Sequence, residues 1–131
     1  MRIYTAYKYS HIKDKSMIKR DLLKFSDILE NKGHTTFMLG RDVQNWNNKA
    51  HPVHSKLAKM IKELKEADAL YAYINSTVYS SGLLFEITVA KLLGKKIVIA
   101  LKEGLKAPYF NFLADEVVYF EKLDDLSMNL S

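Results

Sequence analysis

The run Ala69-Leu70-Tyr71-Ala72-Tyr73-Ile74 is followed by Ser80-Ser81-Gly82-Leu83-Leu84-Phe85-Glu86, which leads through an apolar stretch to Lys91-Leu92-Leu93-Gly94. The first segment is a near-continuous apolar run, the pattern of a central parallel strand covered on both faces. The last segment has the length of a helix and ends on a glycine, the usual stop signal. The heptapeptide between them therefore falls at the carboxyl end of a parallel strand, where open α/β sheets bind ligands. With a helix beginning near Gly82, Glu86 is expected in or close to the first turn, where the helix dipole favours an ionised carboxylate. An acid aimed into a strand-end crevice is a candidate nucleophile or base.

Outward from this segment, strand and helix patterns alternate along the whole chain, with no repeat, linker or low-complexity stretch. The pattern predicts strands at Arg2–Ala6, His34–Met38, Ala69–Ile74, Ile97–Leu101 and Glu116–Phe120. Helices are predicted at about Lys15–Asn31, stopped by Gly33 and striped by Ile18, Leu22, Phe25 and Leu29, at Ser55–Ala67 with Leu57, Ile61 and Leu64 inward, and at about Gly82–Leu93. These imply an α/β fold: one doubly wound domain over residues 1–131, a five-stranded parallel sheet in the flavodoxin-like order 2-1-3-4-5, and helices on both faces. The switch point then lies between strands 1 and 3. Loops 7–14 and 75–82 converge there, so the expected pocket comprises Tyr4, Tyr7, Lys8, Tyr9, Ser80, Ser81, Gly82 and Glu86, with the Trp46 loop as a wall.

The composition narrows the chemistry. No cysteine is present, which removes disulfides, thiolate metal sites and a cysteine nucleophile. The four histidines lack metal-ligand spacing, and neither a Gly-x-Gly-x-x-Gly nor a Gly-Lys-Ser/Thr loop occurs, so no metal and no cofactor is expected. The formal charge of +5 suits an anionic partner. The lysines are interleaved with acids along two helices, however, and no arginine stripe or RNA-binding motif appears, which favours a solvated face over a nucleic-acid groove. No apolar run approaches a membrane span, and the first residues enter a strand pattern directly, so a cytoplasmic protein without membrane contact is expected.

A carboxylate beside Ser80, Ser81 and Gly82 suits a ligand with one electrophilic carbon and polar hydroxyl or phosphate groups. Backbone N–H groups near Gly82 can hold an anion, and the missing Cβ allows close approach. The carboxylate can then attack, or stabilise, a sugar carbon that turns cationic as its bond breaks. Ordinary helix-start chemistry produces the same short pattern. Over most of its length the chain also resembles the nucleoside 2-deoxyribosyltransferase family and the related nucleotide N-glycoside hydrolases. The likeness rests on the Ile3-Tyr4 strand, the Ala67-Asp68 pair, the Ser-Gly…Glu segment, Ala90, and Gly94-Lys95-Lys96 before an apolar strand.

The resemblance implies that Glu86 attacks C1′ of a ribose or deoxyribose. It also implies that Ser80 contacts a 5′-phosphate where nucleoside-handling members carry an aspartate, because an uncharged donor tolerates a phosphate that a carboxylate would repel. Asn111 lies where transferases bring an asparagine into the neighbouring subunit's site, which implies a homodimer or larger assembly. Tyr4 and Tyr7 are candidates to stack on a base or hydrogen-bond the nucleophile, Tyr7 being grouped with Glu86 as catalytic and Lys8 and Tyr9 with the substrate. The family's aspartate two turns before the Ala-Asp pair is replaced by Met60. Asp42, Asp68 and His54 are possible substitutes as proton donor, although Asp68 reads more simply as the end of helix 2. A nucleotide-binding module that has kept the fold without the chemistry is the alternative.

Overall fold

A computed structural model describes residues 1–7, 15–38, 53–75, 81–105 and 112–130 of the chain. The elements are β1 (Arg2–Tyr7), α1 (Lys15–Asn31), β2 (Thr35–Met38), α2 (Val53–Glu66), β3 (Ala69–Ile74), α3 (Ser81–Leu92), β4 (Lys96–Lys102) and β5 (Glu116–Phe120). A 3-10 turn (Leu123–Asp125) and a short α4 (Leu126–Asn129) follow. All four strand pairings are parallel and the order is β2-β1-β3-β4-β5, as the sequence predicts.

The period-2 alternation of the strands sorts the core into two layers. On one face Tyr4, Ala6, Phe37, Leu70, Ala72, Ile97 and Ile99 pack with Met60 and Leu64 of α2 and with Leu83, Ile87 and Ala90 of α3. On the other, Ile3, Met38, Tyr71, Tyr73, Val98 and Ala100 pack with Ile18, Leu22, Phe25 and Leu29 of α1, the stripe read from the sequence. Tyr73 sits between Phe25 and Phe120, with ring centroids at 5.5 and 5.4 Å. Gly33 and Gly94 take φ of +91° and +74°, the left-handed conformation that ends α1 and α3.

Two expectations need correction. Leu57 is 39% exposed, whereas Leu64 is buried and Ile61 packs against the core as expected; Met60 and Glu63 are buried beside them, so the buried stripe of α2 is shifted from the one predicted. The chain also continues past β5 into α4, whose Leu126, together with the following Leu130, is buried beneath α1. An element of four residues is too short to show a helical period.

The two Ala-Asp pairs, 67–68 and 114–115, share one task at the amino edge of the sheet. Asp68 Oδ2 accepts from the Arg2 N–H at 2.8 Å while the Asp68 N–H donates to the Arg2 carbonyl at 2.7 Å. Asp115 does the same with Ile97, at 2.8 Å in both directions. Asp68 thus serves the start of β1 rather than the end of α2. The Ile97 N–H, followed by Lys91 and Lys96, holds the Asp115 carboxyl below its ordinary range despite a small opposing effect of burial. A carboxylate with a depressed pKa stabilises the fold above its unfolded pKa and loses that contribution as pH falls through the folded one. Asp115→Ala should therefore lower stability by about 1 kcal/mol at neutral pH. The difference from wild type should shrink in acid, as measured by urea denaturation at pH 7 and pH 3.

Candidate active site

Glu86 lies on α3, and α3 is built of apolar residues on nearly all sides: Leu83, Ile87 and Ala90 are buried against the sheet. The helix begins at Ser81, so Glu86 is its sixth residue and stands beyond the first turn. The expectation that the dipole would favour its charge fails on that geometry, since the effect fades within the first turn. Removal from water dominates instead and pushes the half-buried carboxyl up to about 7, partly countered by the Tyr4 phenol.

Tyr4 reaches Glu86 from the sheet. It is fully buried, on the α2/α3 face of β1, and its ring lies 5.3 Å from that of Phe37. Burial first, then the charge of Glu86, keeps its phenol well above the ordinary tyrosine value, so it stays a proton donor. The hydroxyl is near enough to favour the carboxylate, yet it closes no hydrogen bond of standard geometry with any described residue. The Thr5 and Tyr71 hydroxyls are buried in the same state, and Tyr4 differs from them in that Glu86 is the acid whose titration it shifts.

Tyr7, three residues further along β1, packs against the α1 face, so strand alternation puts its side chain on the side of the sheet opposite Tyr4. Its charge is still felt by Tyr4, which places it around the rim of the same strand end. Gly82 is the second residue of α3; a Cβ built there meets nothing within 4 Å and its φ is not left-handed, so neither packing nor strain requires glycine. Met60 is 5% exposed and belongs to the apolar cluster that contains Tyr4, Leu83 and Ile87. Lys8, Tyr9, Ser80, Asn111, Trp46 and Asp42 lie outside the described residues, as do the side chains of Ser81 and His54.

The structure also brings out a residue that pattern reading passed over. Glu63, 5% exposed on α2, is bonded to the Arg2 guanidinium, and Lys59 approaches it at 3.0 Å. With Thr35, Thr36 and Phe37 these residues line a cavity of about 280 Å³ beside β2. Its carboxyl stays below the ordinary range because the two cations outweigh burial, in contrast to Glu86. The i, i+4 spacing of Lys59 and Glu63 was the available signal. Among the described residues no group of three or more His, Cys, Asp or Glu could hold a metal ion, and no helix is long and apolar enough to cross a membrane.

An all-parallel 2-1-3-4-5 sheet with helices on both faces defines a class: doubly wound α/β proteins. Solved structures narrow it. The CMP N-glycosidase BcmB of Clostridium botulinum superposes with a TM-score of 0.71 at 20% identity, over 98% of this chain and 95% of that one. A 2-deoxyribosyltransferase of Bacillus psychrosaccharolyticus gives 0.69 at 19%, over 97% and 90%. A conserved protein of Enterococcus faecalis gives 0.70 at 15%, over 98% and 95%. No protein-family model and no curated protein sequence matches the chain. The likeness read from the sequence is thus met at the level of the fold.

Tyr4→Phe should raise the titration midpoint of Glu86, because the phenol favours the charged form; carbon-detected carboxyl NMR reads this directly, and an unchanged or lower midpoint contradicts the pairing. Glu86 itself has a folded pKa above its unfolded value, so its contribution to stability is complete below about 4.5 and is lost as pH rises through about 7. Glu86→Gln should accordingly be more stable than wild type at pH 8, by on the order of 1–3 kcal/mol, and the gain should vanish by pH 4.

Proposed function

We propose that this protein cleaves or transfers the N-glycosidic bond of a nucleoside or nucleoside 5′-monophosphate, with Glu86 as nucleophile at C1′. The observation that carries the reading is the Glu86 carboxyl, taken out of water on α3 and faced by the open phenol of Tyr4. The fold shared with an N-glycosidase and a deoxyribosyltransferase supports it. In the first step the C1′–N bond breaks and its electron pair leaves with the base, while a Glu86 oxygen bonds to C1′. Water or a second base then displaces Glu86, restores the free carboxylate and gives up a proton, which offsets the one the departed base takes up. A desolvated carboxylate is poorly stabilised before reaction and gains most when a cationic carbon develops beside it. Tyr4 orients the carboxylate, and Gly82 leaves room for the sugar. Ser80 and Ser81 take the 5′ end, with a phosphate favoured by the serine at 80; Tyr7, Lys8 and Tyr9 contact base or sugar. The chain acts as one deoxyribosyltransferase-like domain, in a cytoplasmic homo-oligomer whose Asn111 enters the partner's site.

Met60 favours a second reading. An apolar side chain stands where the resemblance calls for an aspartate, as expected of a nucleotide-binding module that has lost the chemistry. Base release from a panel of nucleosides and nucleotides, followed by chromatography, separates the two. Wild type should turn over at least one substrate, with a rate that climbs with pH through about 7 and then levels as Glu86 ionises. Glu86→Gln should lose at least about 100-fold. No turnover with micromolar binding by calorimetry supports the second reading, and equal turnover by Glu86→Gln removes the first. Gly82→Ala should leave the melting temperature unchanged or slightly higher, since alanine is the better helix former. The same variant should raise KM several-fold because its methyl occupies the space assigned to the sugar.

A further inference from the structure

The cavity of about 280 Å³ beside β2 is walled by groups that N-glycosidic chemistry leaves unused: Arg2, Thr35, Phe37, Lys59 and Glu63. Strand alternation assembles its floor. Arg2 and Thr35 open β1 and β2, are paired in register, and share the α2 face of the sheet with Tyr4 and Phe37. Lys59 and Glu63, one turn apart on α2, complete the wall. These side chains are sorted by depth, because Glu63 is only 6% exposed whereas Arg2 and Lys59 are 45% and 39% exposed. A ligand entering from solvent meets two cations before it meets the acid.

We propose that this cavity binds a compact anion, a small metabolite carrying one phosphate or carboxylate group, through the Arg2 guanidinium, the Lys59 ammonium and the Thr35 hydroxyl. Spare bonding capacity is the first reason. Arg2 meets Glu63 and Glu66 through Nη2, so other donors of its guanidinium remain, and Lys59 gives one N–H to Glu63 and keeps two more. The Thr36 hydroxyl is committed to Ser26 and Glu30, at 2.6 Å each, but no described residue bonds that of Thr35. Preorganisation is the second reason. Two neighbouring cations repel one another, and the carboxylate of Glu63 beneath them holds them together, so an incoming anion does not have to gather them. Stability alone gives little reason for an acid at this depth, since a buried ion pair is often no better than apolar residues of similar volume. The third reason is size: small-molecule sites span roughly 300–1,000 Å³, and a cavity near the lower end admits a single charged group on a small body and excludes a polymer.

The cavity shares no lining residue with the Glu86–Tyr4 pair, so its failure and that of the glycosidase reading are separately visible. Amide NMR of the full chain at pH 7, titrated with sodium phosphate and with sodium acetate at constant ionic strength, tests the site and tells which head group it prefers. Saturable shifts should centre on Thr35, Thr36, Phe37, Lys59 and Glu63, with a Kd on the order of 1 mM for the better anion, as two charge-assisted hydrogen bonds allow. Lys59→Gln leaves Arg2 on Glu63 and should weaken binding about 10-fold, whereas Thr35→Val keeps the β-branched shape and should weaken it about 5-fold. Both variants should keep the wild-type circular dichroism melt. Equal shifts with sodium chloride, or no saturable shift at these amides with either anion up to tens of millimolar, overturn the proposal. So does a folded Lys59→Gln or Thr35→Val that binds as tightly as wild type.

Discussion

Taking the carboxyl of Glu86 out of water is the constraint on which the site depends. A shift from 4.5 to about 7 corresponds to roughly 3 kcal/mol between the two protonation states, whereas a helix N-terminus offers at most about 2 kcal/mol, and only within its first turn. Burial wins because α3 has no polar flank to lend the acid: Phe85 and Ile87 stand on either side of it in sequence. Tyr4 moderates the effect without cancelling it. Its own burial keeps it protonated, so the pair consists of a reluctant anion and a committed donor.

The two layers of the sheet divide the labour. Alternation along β1 sends Tyr4 toward α2 and α3, and Tyr7 toward α1. The α1 face is closed by aromatic contacts among Phe25, Tyr73 and Phe120, and Tyr73 is pushed up to about 12 chiefly by burial, then by Asp21. The shifted carboxyls of Glu63 and Glu86 belong to α2 and α3, on the other face. Glu63 shows that burial alone does not raise a carboxyl: on the same face, with Arg2 and Lys59 attached, it is held low.

The strand order was legible because each apolar run was bounded by turns and each crossover was long enough for a helix. The stripe of α1 was legible because Ile18, Leu22, Phe25 and Leu29 keep strict helical spacing. In α2 the same logic held for Ile61 and Leu64 but not for Leu57, because Met60 and the long stem of Glu63 take up the core beside them. Glu86 stood out as a candidate by its place after β3, but its protonation was not legible, because a sequence shows spacing and not solvent. The partnership of Tyr4 with Glu86 depends on which face of β1 each residue takes, and a strict period-2 count from Ile3 would have separated Tyr4 from Tyr7. The recurrence of Ala-Asp before both β3 and β5 was visible too, though its lateral reach to a neighbouring strand belongs to tertiary structure.

Those two aspartates fasten the sheet along one rim only. Each pins a strand to its neighbour at the point of entry, at Arg2 and at Ile97, through a pair of bonds that no side chain on the opposite rim has to maintain. Register is thereby settled where the strands begin, and a one-residue slip, which would turn every side chain to the wrong layer, is barred from that edge onward.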